Sequence, residues 1–382
     1  RVSSLRQFKK LKRLSMPFIL NSEGIKAYGC FNRQAIEEVY MNKINKNRNL
    51  GVDILKFLCA FLVVMIHAPI PGVSQYTTPI ARIAVPIFFM ITGYYYSNTV
   101  KSGKENKQIK KIAILFVVSN IIFMFWELIV DFVKDKSFVS FIEKMTSPET
   151  YLNFFVFNES PFSFHLWYVG AILYVLLIVK LLNKFDKIKI LYYITPLLLL
   201  ADIVFGKYSK VFFGCEFSYI YLRNFIFVGL PNFAIGLFIS EHRESIKNFK
   251  FTKVLTIIAM VVFCATSDLE KYLLVSNKLN APRDQYFSTT LLAMAVFIFF
   301  TIAVEFKSGK VSSILARLGY SLLIYIVHPI ILTLCNQITP KIHLASVYKY
   351  TKPFVVFIGT VLVIFIYYLI KDAVQKKKQK KS

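Results

Sequence analysis

Ten apolar runs divide this chain, and that division limits what it can fold into more than any other feature. The runs fall at about 51–70, 79–97, 109–130, 165–182, 188–205, 220–240, 251–267, 288–305, 314–335 and 353–370. Each is long enough, or nearly so, for a helix to cross a hydrocarbon layer of roughly 30 Å. That layer offers no water to backbone groups, so only helices and closed barrels span it. None of the runs alternates apolar and polar residues with a period of two, which argues against a barrel. Composition agrees, since 56% of the residues are hydrophobic and 38 of the 382 are Phe, well outside the usage of soluble domains. The expectation is an all-α, polytopic helical membrane bundle of about ten transmembrane helices.

The net charge of +26 would suit a nucleic-acid-binding protein, but its placement points to a membrane instead. Segments 1–50, 98–111, 180–189, 241–253, 305–317 and 371–382 hold 33 of the 47 Lys and Arg. The intervening loops 131–164, 206–223, 268–287 and 336–352 hold only 12. Basic loops stay on the cytoplasmic side, so both termini are expected inside, in a multi-pass protein of the cell (plasma or inner) membrane. Lipid is the expected partner of these charges and nucleic acid is not.

Three regions follow from the pattern. Residues 1–47 form a basic extension without the apolar core of a secretory signal, and Met41 reads as a natural start. Residues 48–371 hold the membrane domain. Residues 372–382 form a basic tail suited to anionic lipid. The five Cys are scattered with no CxxC pair, so neither a disulfide framework nor a metal site is expected.

Ionisable groups inside lipid-spanning runs are costly and are functional candidates by default. In the first run Asp53 and Lys56 stand near one end and His67 fourteen residues on, about 21 Å further along a helix. Arg82, early in the second run, returns to the depth of His67 if the runs alternate in direction. His328, followed by Pro329, falls at a comparable depth, as do Glu127, Asp202, Arg223 and the start of His165-Leu-Trp167-Tyr168. Each has a plainer alternative. His67 suits an interhelical hydrogen bond, and Arg82 can snorkel to the interface. His328 can satisfy a carbonyl freed by the proline. Asp53 and Lys56 suit an i, i+3 ion pair, and Trp167 and Tyr168 suit interface anchors.

Four ordered motifs carry a family resemblance. The segment from Arg48 through Asp53 and Lys56 to His67 resembles the first-helix signature of the integral-membrane acyltransferase-3 family. Arg82-Ile-Ala-Val-Pro86 through Gly93 is similar to its second-helix motif, and His165-Leu-Trp167-Tyr168 to its fourth. Leu318-Gly319-Tyr-Ser321 through Tyr325 to His328-Pro329 is similar to its late-helix motif. The second and fourth motifs also resemble the membrane domain of VanT-type serine racemases.

The resemblance implies transfer of an acyl group, usually acetyl, from cytoplasmic acetyl-CoA (acyl-CoA) to a hydroxyl of a surface or lipid-linked glycan. Acyl-CoA is then a donor substrate, and no tightly bound cofactor is implied. A sugar hydroxyl is a poor nucleophile at neutral pH, and a neutral imidazole has a suitable pKa to act as its base. The implied catalytic set is His67 as base or acyl carrier, Arg82 as its orienting or oxyanion-stabilising partner, and His328. Arg48, Lys107, Lys110 and Lys111 are candidates for the donor phosphates; lysines stand here where the family typically has arginines. Asp53, Lys56, Trp167, Tyr168, Ser321 and Tyr325 are candidates for substrate contact. A transporter or exporter of a small solute or glycan on the same scaffold is the alternative.

Overall fold

A computed structural model of the protein describes residues 49–283, 285–306 and 321–379. Its first helix shows how the chain answers to lipid. Helix α1 (Leu50–His67) carries Asp53 in its first turn, where the helix dipole favours an anion. It stops ahead of Pro69 and Pro71, whose rings disfavour further helix. There follow α2 (Ser74–Ala81), α3 (Ala84–Lys101), α4 (Glu105–Asp135), α5 (Val139–Thr146) and α6 (Pro148–Val156). The chain continues through α7 (Trp167–Lys184), α8 (Ile190–Asp202), α9 (Leu230–Glu241) and α10 (Thr252–Ser276). It closes with α11 (Phe287–Ile298), α12 (Ser321–Lys341) and α13 (Ala345–Gln379). Among the described residues there is no strand.

Among the described residues eight helices are long and apolar enough to cross a membrane. The other two expected spans are shorter apolar helices, Phe225–Glu241 and Phe287–Ala303, each about 25 Å long. Side-chain bonds set their starts. The side chain of Asn224 accepts the N–H groups of Ile226 and Phe227 and fixes a π-helical turn (Phe225–Gly229) ahead of α9. The Glu270 carboxylate of α10 accepts the N–H of Phe287 at 2.6 Å and of Ser288 at 3.3 Å, and so sets the first turn of α11. In the first of the two, residues 222–224, which the hydropathy pattern assigns to the span, are therefore non-helical; the second helix begins one residue ahead of its run and stops at Ala303, two residues short of the run's end. Such backbone is tolerated at membrane depth only where protein or water satisfies it.

The second expected span is also revised. It runs from residue 74 to 101 and breaks between α2 and α3 at Arg82 and Ile83, because Pro86 offers no N–H to the Arg82 carbonyl. Pro79, inside α2, likewise deprives the Gln75 carbonyl of its helical donor. Lys271 Nζ of α10 donates to that carbonyl at 2.7 Å, replacing the missing bond with one from a neighbouring helix.

Helix α9 is buried on almost every side and packs most extensively against α3. Two glycines permit this. A Cβ added at Gly93 would land on the Phe233 carbonyl oxygen, and one at Gly236 on the Met90 carbonyl oxygen. Small residues let membrane helices meet backbone to backbone, where packing replaces the absent hydrophobic drive. Gly51 of α1 meets the Phe300 carbonyl in the same way, joining α1 to the π-helical turn (Phe299–Ala303) after α11. At the periphery Val117, Phe125, Val261 and Ile358 are exposed, as apolar side chains facing lipid are.

The crossing yields the first prediction. Gly236→Ala forces two backbones apart and is expected to cost about 1–3 kcal/mol, seen as a lower melting temperature in detergent. Gly359→Ala meets only an Ile331 methyl at 3.2 Å and is expected to shift it less. Equal shifts would contradict the reading of the α3–α9 contact.

Candidate active site

Three of the chain's five histidines meet at one end of the bundle. His67 comes from the last turn of α1, His165 from a 3₁₀ turn (Phe164–Leu166) leading into α7, and His328 from α12. The His67 and His328 rings stack with centroids 5.2 Å apart and planes 30° apart. His165 stands edge-on to His328 at 5.7 Å. His165 and His328 are buried, while His67 is half-buried.

Local sequence fixes His328. Pro329 leaves the Tyr325 carbonyl without its helical donor, and the imidazole folds back over this stretch of backbone. Its Nδ1 lies 3.1 Å from the Ile324 carbonyl, with the Tyr325 carbonyl also in reach. A carbonyl only accepts, so Nδ1 donates and carries the proton. Nε2 is then the unprotonated nitrogen. It is buried, and among the described residues no protein group bonds to it. This is the second-shell logic by which a backbone carbonyl selects a histidine tautomer.

Tyr325 ties the site to its neighbours. Its hydroxyl donates to the backbone carbonyl of His165, and its ring lies 5.2 Å from that of Tyr168. Tyr168 in turn packs edge-on to Phe89 of α3 at 4.9 Å. Trp167 and Tyr168 are 5% and 6% exposed, so the interface-anchor alternative does not hold for them. Ser163 Oγ lies 2.6 Å from His165 Nδ1.

The irregular segment before His165 is stitched to the one before α9. Asn158, in the left-handed region at φ 54°, donates to the Trp167 carbonyl at 3.0 Å and accepts the Phe225 N–H at 3.1 Å. Glu159 pairs with Arg223 at 3.1 Å. The Arg223 guanidinium lies 4.4 Å from the Tyr219 ring centroid and 5.5 Å from that of Trp167. Phe164 bridges this group to the histidines, 5.2 Å from the His67 ring and 5.8 Å from the Arg223 guanidinium.

Asp53 and Lys56 form the i, i+3 pair at 4.0 Å, at the far end of α1 from His67. Arg82 is half-buried at the α2–α3 break, within electrostatic reach of Lys271. Lys107, Lys110 and Lys111 are exposed in the first turns of α4. Glu127 pairs with Lys144 of α5. Arg48, the Ser321 side chain, Leu318 to Tyr320, residues 1–47 and residues 380–382 lie outside the described residues. Asp202 is held by Arg283 at 2.7 Å, both almost fully buried, and Arg283 also donates to the Tyr219 carbonyl at 2.6 Å. This pair braces irregular backbone. Among the described residues no three His, Cys, Asp or Glu are arranged to hold a metal ion.

Sequence reasoning left His165, Asn158 and Glu159 out of the site. For His165 the signal was present as the opening residue of the His-Leu-Trp-Tyr motif. For Glu159 there was none, because its partner lies 64 residues away.

The profile of the acyltransferase domain of the acyltransferase-3 type matches residues 49–372. The chain belongs to this family. It is a multi-pass membrane protein carrying an acyltransferase domain. A curated relative, an amino-acid racemase of Enterococcus faecalis, is 24% identical over 320 residues, which are 78% of this chain and 43% of the racemase. The chain thus spans less than half the length of that relative. No solved structure matches the chain.

The Asp202–Arg283 brace generates the second prediction. Removing one partner leaves a buried charge, so Asp202→Leu is expected to destabilise the protein by about 3–5 kcal/mol. The double variant Asp202→Leu with Arg283→Met is expected to recover a large part of that in thermal melts. Losses that simply add would contradict a paired role.

Proposed function

We propose that the protein moves an acyl group, usually acetyl, from cytoplasmic acyl-CoA to a hydroxyl of a cell-surface or lipid-linked glycan. The observation that carries this reading is the stacked pair His67 and His328, with the second ring's proton spent on backbone carbonyls. The acyltransferase family of the chain supports it. In this reading both termini face the cytoplasm, the protein sits in the cell membrane, and the histidine end of the bundle faces outward. The alternation of basic loops supports that orientation.

In the proposed reaction the acceptor hydroxyl attacks the thioester carbonyl carbon. The hydroxyl proton passes to an unprotonated imidazole nitrogen as the new C–O bond forms. The C–S bond then breaks, and the departing thiolate takes the proton back. His67, half-buried and stacked on His328, is assigned as the base, with acyl carriage by the same ring as the other route. His328 positions that ring and its Nε2 is the second proton acceptor of the pair. Arg82 is assigned to the developing oxyanion. Tyr325, Tyr168 and Trp167 shape the site, and Ser321 lies four residues before Tyr325 on the same helix.

Donor phosphates need cations at the opposite, cytoplasmic end. Lys107, Lys110 and Lys111 are exposed there at the start of α4, and Arg48 is assigned with them. Lysine binds phosphate as a point charge without the guanidinium fork. Asp53 and Lys56 lie at that same end of α1 and are assigned to the donor's path rather than to the acceptor. No tightly bound cofactor is required.

A second reading keeps the scaffold without the chemistry, and the racemase relative's name makes an amino acid a candidate solute. A transporter or exporter of a small solute, such as an amino acid, would use the same polar layer for binding without chemistry.

Two outcomes separate the readings. His67→Ala and His328→Gln are each expected to lower acetyl transfer to the envelope glycan at least about a hundredfold, the usual scale for a general base, with membrane insertion unchanged. Unchanged acetyl content with reduced solute movement would favour the transporter. The Lys107, Lys110, Lys111 triple Ala variant is expected to raise the KM for acetyl-CoA, and an unchanged KM would remove these residues from the donor site.

A further inference from the structure

We propose that Phe164, Tyr219 and the Arg223–Glu159 pair form the subsite that holds one pyranose ring of the acceptor beside His67. This rests on the glycan-acceptor reading above and gives its acceptor a place. Four observations carry it.

The first is exposure. Phe164 is 51% and Tyr219 39% exposed, and both rings lie against the Arg223 guanidinium. The second is the charge between them. The Arg223 guanidinium is 4.4 Å from the Tyr219 ring and 5.8 Å from the Phe164 ring. A cation between two aromatic faces favours a water-accessible recess, because a guanidinium facing hydrocarbon is costly. The third is the fixed carboxylate. Glu159 is 8% exposed, and one guanidinium nitrogen reaches both its oxygens, at 3.1 and 3.4 Å. The pair therefore offers donors and acceptors of set direction, the few placed polar groups that orient a ligand on an apolar lining.

The fourth is position. Phe164 touches the His67 ring at 5.2 Å, so a ring lying on Phe164 brings its hydroxyls beside that imidazole. A pyranose has one face of C–H bonds for an aromatic surface and an edge of hydroxyls for an ion pair. Asn158 holds the two segments in register through Trp167 and Phe225, so these groups are fixed before ligand arrives and little ordering cost remains.

The test uses the full chain in lipid nanodiscs with p-nitrophenyl β-D-glucopyranoside and p-nitrophenyl N-acetyl-β-D-glucosaminide as probes, followed by saturation-transfer NMR. Wild type is expected to transfer saturation to the pyranose C–H protons of at least one probe. Phe164→Ala and Tyr219→Ala are each expected to weaken that probe about tenfold, the scale of one lost aromatic contact. Phe164→Tyr, which keeps the face, is expected to restore binding. Saturation confined to the nitrophenyl protons, no binding by wild type, or equal binding by the Ala variants would overturn the subsite. Thiol release from acetyl-CoA by the wild-type sample reads the acyltransferase proposal separately. Sugar binding without thiol release would support the subsite while removing the enzyme reading, and would mark a saccharide carrier.

Discussion

Lipid supplies no hydrogen bonds, and this single shortage organises the molecule. Every proline inside a spanning helix frees a carbonyl that only the protein can satisfy. At Pro79 the answer is Lys271, reaching from α10 to the Gln75 carbonyl. At Pro329 the His328 ring turns back within the helix, its Nδ1–H donating to the Ile324 carbonyl at 3.1 Å, one residue before the carbonyl that Pro329 frees. The first solution ties two helices together. The second costs nothing in tertiary contact and fixes a tautomer, which turns a packing problem into a chemical asset. A buried imidazole whose Nδ1–H is committed to the backbone keeps its other nitrogen for a proton.

The glycine crossings place that imidazole. Contact of α3 and α9 backbone to backbone draws the bundle tight around α9 and leaves little room there for substrate. At the His67 end the regular packing gives way. Segments 157–163, 214–218, 222–224 and 277–283 are non-helical, and polar groups of this irregular backbone are matched by Asn158, Asn224, Arg283 and Lys207. Irregular backbone at membrane depth needs such partners or water. The polar chemistry of the protein is thus concentrated where its helices are shortest.

The spans were legible because hydropathy decides them: eight helices and two shorter ones stand where ten runs do. The two short helices could not be told from full spans: Asn224 cuts the first by hydrogen bonds that leave no hydropathic trace, and the second falls only two residues short of its run. His67 and His328 were legible as ionisable residues in apolar runs. Their mutual stacking was suggested by depth alone and needed coordinates to see. His165 was readable only as part of a motif, and Glu159 not at all, because a pairing across 64 residues has no local signature. The Asp53–Lys56 pair shows the reverse, a contact foreseen from spacing because it is local to one helix.

All of this turns on where one proton sits. The direct measurement is nitrogen-15 NMR of histidine-labelled protein in lipid nanodiscs near neutral pH, with His328 assigned by its loss in His328→Gln. The account predicts a protonated-type Nδ1 resonance and an unprotonated-type Nε2 resonance for His328. A proton on Nε2 would contradict it, because the ring would then be turned from the backbone and Nε2 would have no lone pair to offer.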